Sequence, residues 1–351
     1  MQISGVLPDV SVFVPSIGGC RLQDVIVVGN KCFVSPGIPR KWSYYCSNTK
    51  LESGPEKLRT RSPNFTVRAC GGDFIPLAPL HLESPIGQLL CQILKKHPHL
   101  LLATANQQIE NIRTQMEGQD ESRRKALEEI IYCLIVQRFV DNEISMIPKI
   151  STTSSDLRPL NNQERKLESV HSPEALGMIL SHLSLVLPDV RPLDSVTRMS
   201  KVALAKLYAA SVMYAYFVRR VDQRYQLETS MNTLSEGFGE DSHLIFGEEK
   251  LSSKLTTYIM YLDAETRRRY VTIRSKEAIS LIGKQTQALF GRPNVTVTED
   301  ATLLNASNVD DEVVSLTLSG LRLLVLEAVA FGSFLWDAEL YVESKYPFIS
   351  S

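Results

Sequence analysis

No proline occurs from His99 to Ile147, from Leu193 to Arg292, or from Asn294 to Tyr346. Proline lacks a backbone N–H and its ring clashes with the preceding helical turn, so long unbroken helices are confined to stretches of this kind. The apolar residues in them repeat at helical spacing. Leu127, Ile130, Ile131, Leu134 and Ile135 fall at i, i+3, i+4, i+7 and i+8, which puts one apolar stripe on one helix face. Ser84-Pro85 and Ser172-Pro173 each set a capping hydroxyl before a proline suited to a first helical turn, so both read as helix starts. Apart from a short extended piece at Val295 to Thr298, no alternating strand pattern stands out, and the fold class is all-α. Leu127, Ile131, Leu134, Leu324 and Phe331 are expected in the core.

Three polar intervals interrupt the helices: 149–171, 233–250 and 292–311. They divide the chain into a first helical unit over 70–150, a linker over 151–171, and a second unit over 172–345. A faint internal repeat fits two related halves. Ser84-Pro85 recurs at Ser172-Pro173, and Arg138-Phe-Val-Asp141 recurs as Arg219-Arg-Val-Asp222. The second unit carries a central apolar helix over 313–345. Its run from Val313 to Trp336 is apolar enough to raise a membrane span, but Arg322 and Glu327 inside it make a span too costly, and a bundle core is expected instead.

Residues 1–69 have a different character. The first seventy residues hold nine Lys/Arg, four acids and eleven Ser/Thr, and close on Val67-Arg68-Ala69-Cys70. An acid-poor, hydroxyl-rich, basic segment is the signature of an organelle transit peptide, disordered and read by an import machinery. Its prolines argue against a sustained amphipathic helix, so the expected address is the chloroplast stroma, with cleavage near Ala69 and Cys70. Removing nine of the 38 basic and four of the 39 acidic residues leaves a net charge of about minus six. Such a surface repels phosphate backbones, which excludes nucleic acid as the expected partner.

The chemistry-bearing residues are scattered. Cys91 and Cys133 fall among apolar helix positions and read as small buried hydrophobes, with no disulfide framework. Glu168-x-x-His171 and Glu240-x-x-His243 have the i, i+3 spacing of di-iron helix ligands but lie in polar connecting segments rather than on facing helices, so no metal and no cofactor are expected. His97-Pro-His99 reads as a helix-to-helix turn. Gly283-Lys284-Gln285-Thr286 lacks the glycine and hydroxyl positions of a phosphate loop and sits in a continuous helix. Glu327 is the candidate buried charge, with Arg138, Arg219, Arg220 or Arg322 as possible partners. The tyrosines at 208, 214, 216 and 225 read as packing. Arg267, Arg268 and Arg269 form a candidate interaction surface.

Five strings taken together carry a resemblance: SPIGQLLCQIL at 84–94, ALEEIIYCLIVQRFVDNEISMIP at 126–148, KLYAASVMYAYFVRRVDQRYQLE at 206–228, RSKEAISLIGKQTQALFG at 274–291 and LRLLVLEAVAFGSFLWDAELYV at 321–342. They resemble the UV-B-induced chloroplast proteins of plants built on the domain of unknown function 760. The resemblance implies a chloroplast address and induction by light stress, and carries no catalytic or ligand residue. Two function classes follow. One is a non-enzymatic stromal protein that binds a protein partner, favoured because no reaction centre is visible. The other is a binder of, or enzyme for, a small apolar or pigment-like molecule held in a cavity near Glu327.

Overall fold

A computed structural model describes residues 78–115, 120–147, 157–187, 192–234, 254–291, 295–297, 303–305 and 312–346. The calls at Ala69, Cys70, Glu240 and His243 lie outside the described residues. In chain order the elements are α1 (Pro85–Lys96), a single 3₁₀ turn (Pro98–Leu100), α2 (Leu101–Gln115), α3 (Asp120–Asp141), α4 (Leu157–Glu168) and α5 (Pro173–Val186). They continue as β1 (Val196–Ser200), α6 (Lys201–Ser230), α7 (Lys254–Tyr261), α8 (Ala264–Val271), α9 (Lys276–Phe290), β2 (Val295–Val297), β3 (Leu303–Asn305), β4 (Val313–Thr317) and α10 (Leu318–Lys345). The class is all-α, trimmed by two antiparallel two-stranded ribbons, β1–β4 and β2–β3.

Both serine caps form as the sequence predicts. Ser84 accepts from the Gly87 N–H at 2.9 Å and Ser172 from the Ala175 N–H at 3.1 Å, with proline at the start of each helix. Leu127, Ile131, Leu134, Leu324 and Phe331 are all buried. The extended piece near Val295 is β2.

Two expectations are corrected. The first five residues of the apolar run 313–345 are a strand rather than helix, because β4 pairs with β1 from Val196 opposite Thr317 to Ser200 opposite Val313. Thr317 then caps α10 by accepting from the Gly320 N–H at 3.1 Å. Hydropathy alone cannot separate the two, since a buried strand and a buried helix segment are equally apolar over five residues. The interval read as a linker also holds a helix, α4, whose Pro159 falls in the first turn, where it is tolerated. Leu167 is the buried residue among those of α4 whose side chains are described, which leaves little apolar periodicity to see.

The β1–β4 ribbon launches the two longest helices among the described residues, β1 running directly into α6 and β4 into α10. The helices run side by side in the same sense, with Val212 at Gly332 and Arg219 at Asp337. A Cβ on Gly332 would lie 2.1 Å from the Val212 carbonyl oxygen, so the closeness of this crossing depends on glycine there. The main core draws residues from α1 to α6, α9, β4 and α10, so both helical units of the sequence contribute to it. A smaller cluster joins α5 and the second half of α6 to α7 and α8. By length and composition α10 could cross a membrane, and 89% of its apolar window is buried inside the fold.

Candidate functional site

Glu327 lies in the middle of α10 with 2% of its surface exposed, as its place in an apolar run predicts. Its Oε1 accepts a hydrogen bond from Gln163 Nε2 of α4 at 3.0 Å. Three of the arginines considered as its partner are engaged elsewhere: Arg322 binds Glu164 and Glu168, Arg219 makes a two-pronged bond to Asp337 at 3.0 Å on both arms, and Arg220 donates to backbone carbonyls. Arg138 is exposed at the end of α3. Next to Glu327 runs a thread of buried polar groups. Gln285 of α9 donates to the Tyr208 hydroxyl at 3.5 Å and accepts from the Tyr132 hydroxyl at 3.3 Å, while Tyr132 also accepts from the Leu80 N–H at 3.2 Å. Burial pushes both phenols above their ordinary value, so they act as neutral hydrogen-bonding groups that tie four chain segments together.

The Glu168-x-x-His171 pair does not stay in solvent. Glu168 closes α4 on Arg322, and His171 turns inward, with Nδ1 3.5 Å from Ser333 Oγ and Nε2 buried without a hydrogen-bond partner. Burial, helped by the charge of Arg219, lowers the His171 pKa to about 4. The reason is geometric: the Ser172 hydroxyl donates to the buried Asp222 at 2.8 Å and draws the turn against α6. Among the described residues no group of three or more His, Cys, Asp or Glu could hold a metal ion. His97 precedes and His99 lies within the exposed turn between α1 and α2, and residues 283–286 lie inside α9.

Arg267, Arg268 and Arg269 lie on α8, a two-turn helix capped by Asp263, whose carboxylate accepts from the Thr266 N–H at 2.8 Å. Arg268 and Arg269 are exposed and Arg267 is half-buried. The helix is held from beneath by Arg220, whose Nη1 donates to the carbonyls of Arg269 at 2.7 Å and Thr272 at 3.1 Å. The Arg220 guanidinium lies 4.7 Å from the centre of the Tyr270 ring and 5.1 Å from that of Trp336, and burial lowers its pKa.

Trp336 is the centre of a cluster that sequence reasoning missed. Its Nε1 donates to Gln223 Oε1 at 2.7 Å, its edge meets Tyr216 at 5.4 Å, and Arg274 lies on it from another side at 5.7 Å. Tyr216 in turn donates to Glu339 and accepts from the Arg274 N–H at 3.3 Å. Glu339 is 1% exposed, and burial raises its pKa against the opposing effects of Ser275, Tyr216 and Arg274. The available signal was the pair Arg219-Arg220 in the middle of an apolar helix, since cations there require partners across the interface.

The family described as protein of unknown function, DUF760, matches residues 81–231, from just before α1 to the end of α6. An Arabidopsis thaliana protein named a UV-B-induced protein, chloroplastic, is 37% identical over 369 residues, covering 86% of this chain and 87% of the relative. The chain belongs to the DUF760 family. No solved structure matches it. The DUF760 segment contains two instances of one device, in which the serine at the start of a short helix is gripped by a carboxylate on a following long helix. Glu129 of α3 accepts from the N–H groups of Glu83 and Ser84 and from the Ser84 hydroxyl, and Asp222 of α6 accepts from the Ser172 hydroxyl. Beyond the matched segment, Ser275 at the start of α9 lies against Glu339 of α10 in the same relation. Three buried acids of this DUF760 protein, Glu129, Asp222 and Glu339, therefore serve as clamps on helix starts.

Proposed function

We propose that this chain is a non-enzymatic chloroplast stromal protein, tied to the UV-B or light-stress response, that acts by binding another protein through the α8 face at Arg267, Arg268 and Arg269. The observation that carries the reading is a contrast in employment. Glu129, Asp222, Glu327 and Glu339 each hold a helix or an amide, whereas Arg268 and Arg269 face solvent on a helix anchored from below by Arg220. A rigid backing with outward guanidinium groups suits recognition of carboxylates on a partner. The address is supported by the basic, hydroxyl-rich segment 1–69 and by the chloroplastic relative. The burial of α10 supports a chain without a membrane span, and the net acidity of residues 70–351 supports one without nucleic acid.

The test is recovery of partners by the tagged protein from UV-B-treated chloroplasts, compared with a variant carrying Arg268→Glu and Arg269→Glu. The expected result is loss of specific partners with helicity and unfolding midpoint unchanged. Turnover of a plastid metabolite that disappears in a folded Glu327→Gln variant would replace this reading with the small-molecule one.

A further inference from the structure

Helices α1 and α3 face each other, and at the start of α1 two contacts share an offset of 42 positions. Lys125 of α3 pairs with Glu83 immediately before α1, and Gly87 meets Glu129. Further along, Gln137 Nε2 donates to the Pro98 carbonyl at 3.4 Å, so the two helices run in the same direction. One helical turn beyond Gly87 is Cys91, and one turn beyond Glu129 is Cys133. Residues four apart lie on one helix face, so the two cysteines occupy successive opposed positions of the same seam. The seam is tight one turn before the cysteines. A Cβ placed on Gly87 would stand 3.1 Å from the Glu129 Cβ, closer than the roughly 3.5–4.5 Å between the Cβ atoms of a disulfide.

Both sulfurs are free thiols, Cys133 buried and Cys91 half-buried. Burial first, and then the charge effect of Cys91, push the Cys133 thiol above its ordinary value. The pair was not visible as such in the sequence, where 42 positions separate the two and each reads as a core hydrophobe.

We propose that Cys91 and Cys133 form a redox-active dithiol that closes into a disulfide stapling α1 to α3. The oxidant is a disulfide, of a small molecule or of an exchange protein. The accessible Cys91 loses its proton to solvent, and its thiolate attacks one sulfur of the oxidant, expels the other as a thiolate and forms a mixed disulfide. Cys133 then loses its proton, attacks the Cys91 sulfur and expels the second oxidant sulfur. Two electrons and two protons leave the chain, and the oxidant ends as two thiols. Because Cys133 is buried and holds its proton, the second step is the slow one.

The experiment incubates the full chain with oxidised glutathione, blocks remaining thiols with a maleimide after denaturation, and maps peptides without reduction. Mapping separates this pair from Cys20, Cys32, Cys46 and Cys70. The expected product is a Cys91–Cys133 linked peptide that dithiothreitol abolishes, absent in Cys91→Ser, together with slower amide exchange along α1 in the oxidised protein. Glutathione retained on Cys91 as the end product, or recovery of both residues as maleimide adducts, would overturn the proposal.

Discussion

The phenol of Tyr216 on α6 donates a hydrogen bond to the carboxylate of Glu339 on α10, and both groups are buried. Burial raises the Glu339 pKa above the ordinary carboxylate value, so the folded state favours the protonated form. Its contribution to stability is fully present below the unfolded value of about 4.3 and is lost as pH rises through the folded value. Glu339→Gln keeps the neutral shape and removes the titration. Melting curves of the two proteins at a series of pH values should show the wild type losing ground to the variant as pH rises from acid. Parallel curves would mean that folding leaves the Glu339 carboxyl unshifted.

His171 and His182 shift the other way. Burial lowers both to about 4, so the fold holds them neutral while the unfolded chain binds protons near 6.5. Their contribution is present above about 6.5 and is lost as pH falls towards about 4. His182 also stacks on Tyr214 at 4.4 Å and meets Ser211 at 3.1 Å, which fixes its ring. Replacing His171 by Gln should flatten the acid limb of the stability profile in urea titrations between these two pH values. An unchanged limb would assign acid sensitivity to carboxylates alone.

Gly332 and Gly283 make a matched pair of helical glycines. Alanine normally stabilises a helix interior over glycine by roughly 0.5–1 kcal/mol. At Gly283 of α9 nothing lies within 4 Å of an added Cβ, so Gly283→Ala should follow that rule. At Gly332 the Val212 carbonyl stands 2.1 Å away, and forcing α6 and α10 apart should cost about 1–3 kcal/mol or more. Urea unfolding of the two variants should give opposite signs.

Ser84 and Glu129 should prove energetically coupled. Ser84→Ala removes a cap worth about 1 kcal/mol, whereas Glu129→Ala strands the N–H groups of Glu83 and Ser84 and should cost more, about 2 kcal/mol or above. Because the Ser84 hydroxyl also donates to Glu129, the double variant should be less destabilised than the sum of the two. Additive losses in a double-mutant cycle would show that the clamp acts through the backbone alone.

The start of α1 was legible because a serine cap and an N1 proline act locally, within one turn of chain. The burial of Leu134 and Phe331 was legible because a helical apolar stripe must face a core whichever partner covers it. The α4 helix was not, since its polar face is stabilised by contacts such as Gln163 with Glu327 and Glu164 with Arg322, more than 150 positions away. The strand β4 was not, because its hydrogen bonds go to β1 and leave no local trace.

The sequence by itself determined the all-α class, the principal helix starts, a buried Glu327 and the family to which the chain belongs. Only the tertiary structure decided which charges meet. It sent Arg322 to α4 and Arg220 beneath α8 between Tyr270 and Trp336, and it laid α1, which carries Cys91, along α3, which carries Cys133. The reason is range: caps and periodicity act over a few residues, whereas a buried ion pair or polar network takes whichever partners packing brings within about 3 Å, and the sequence does not encode that distance explicitly.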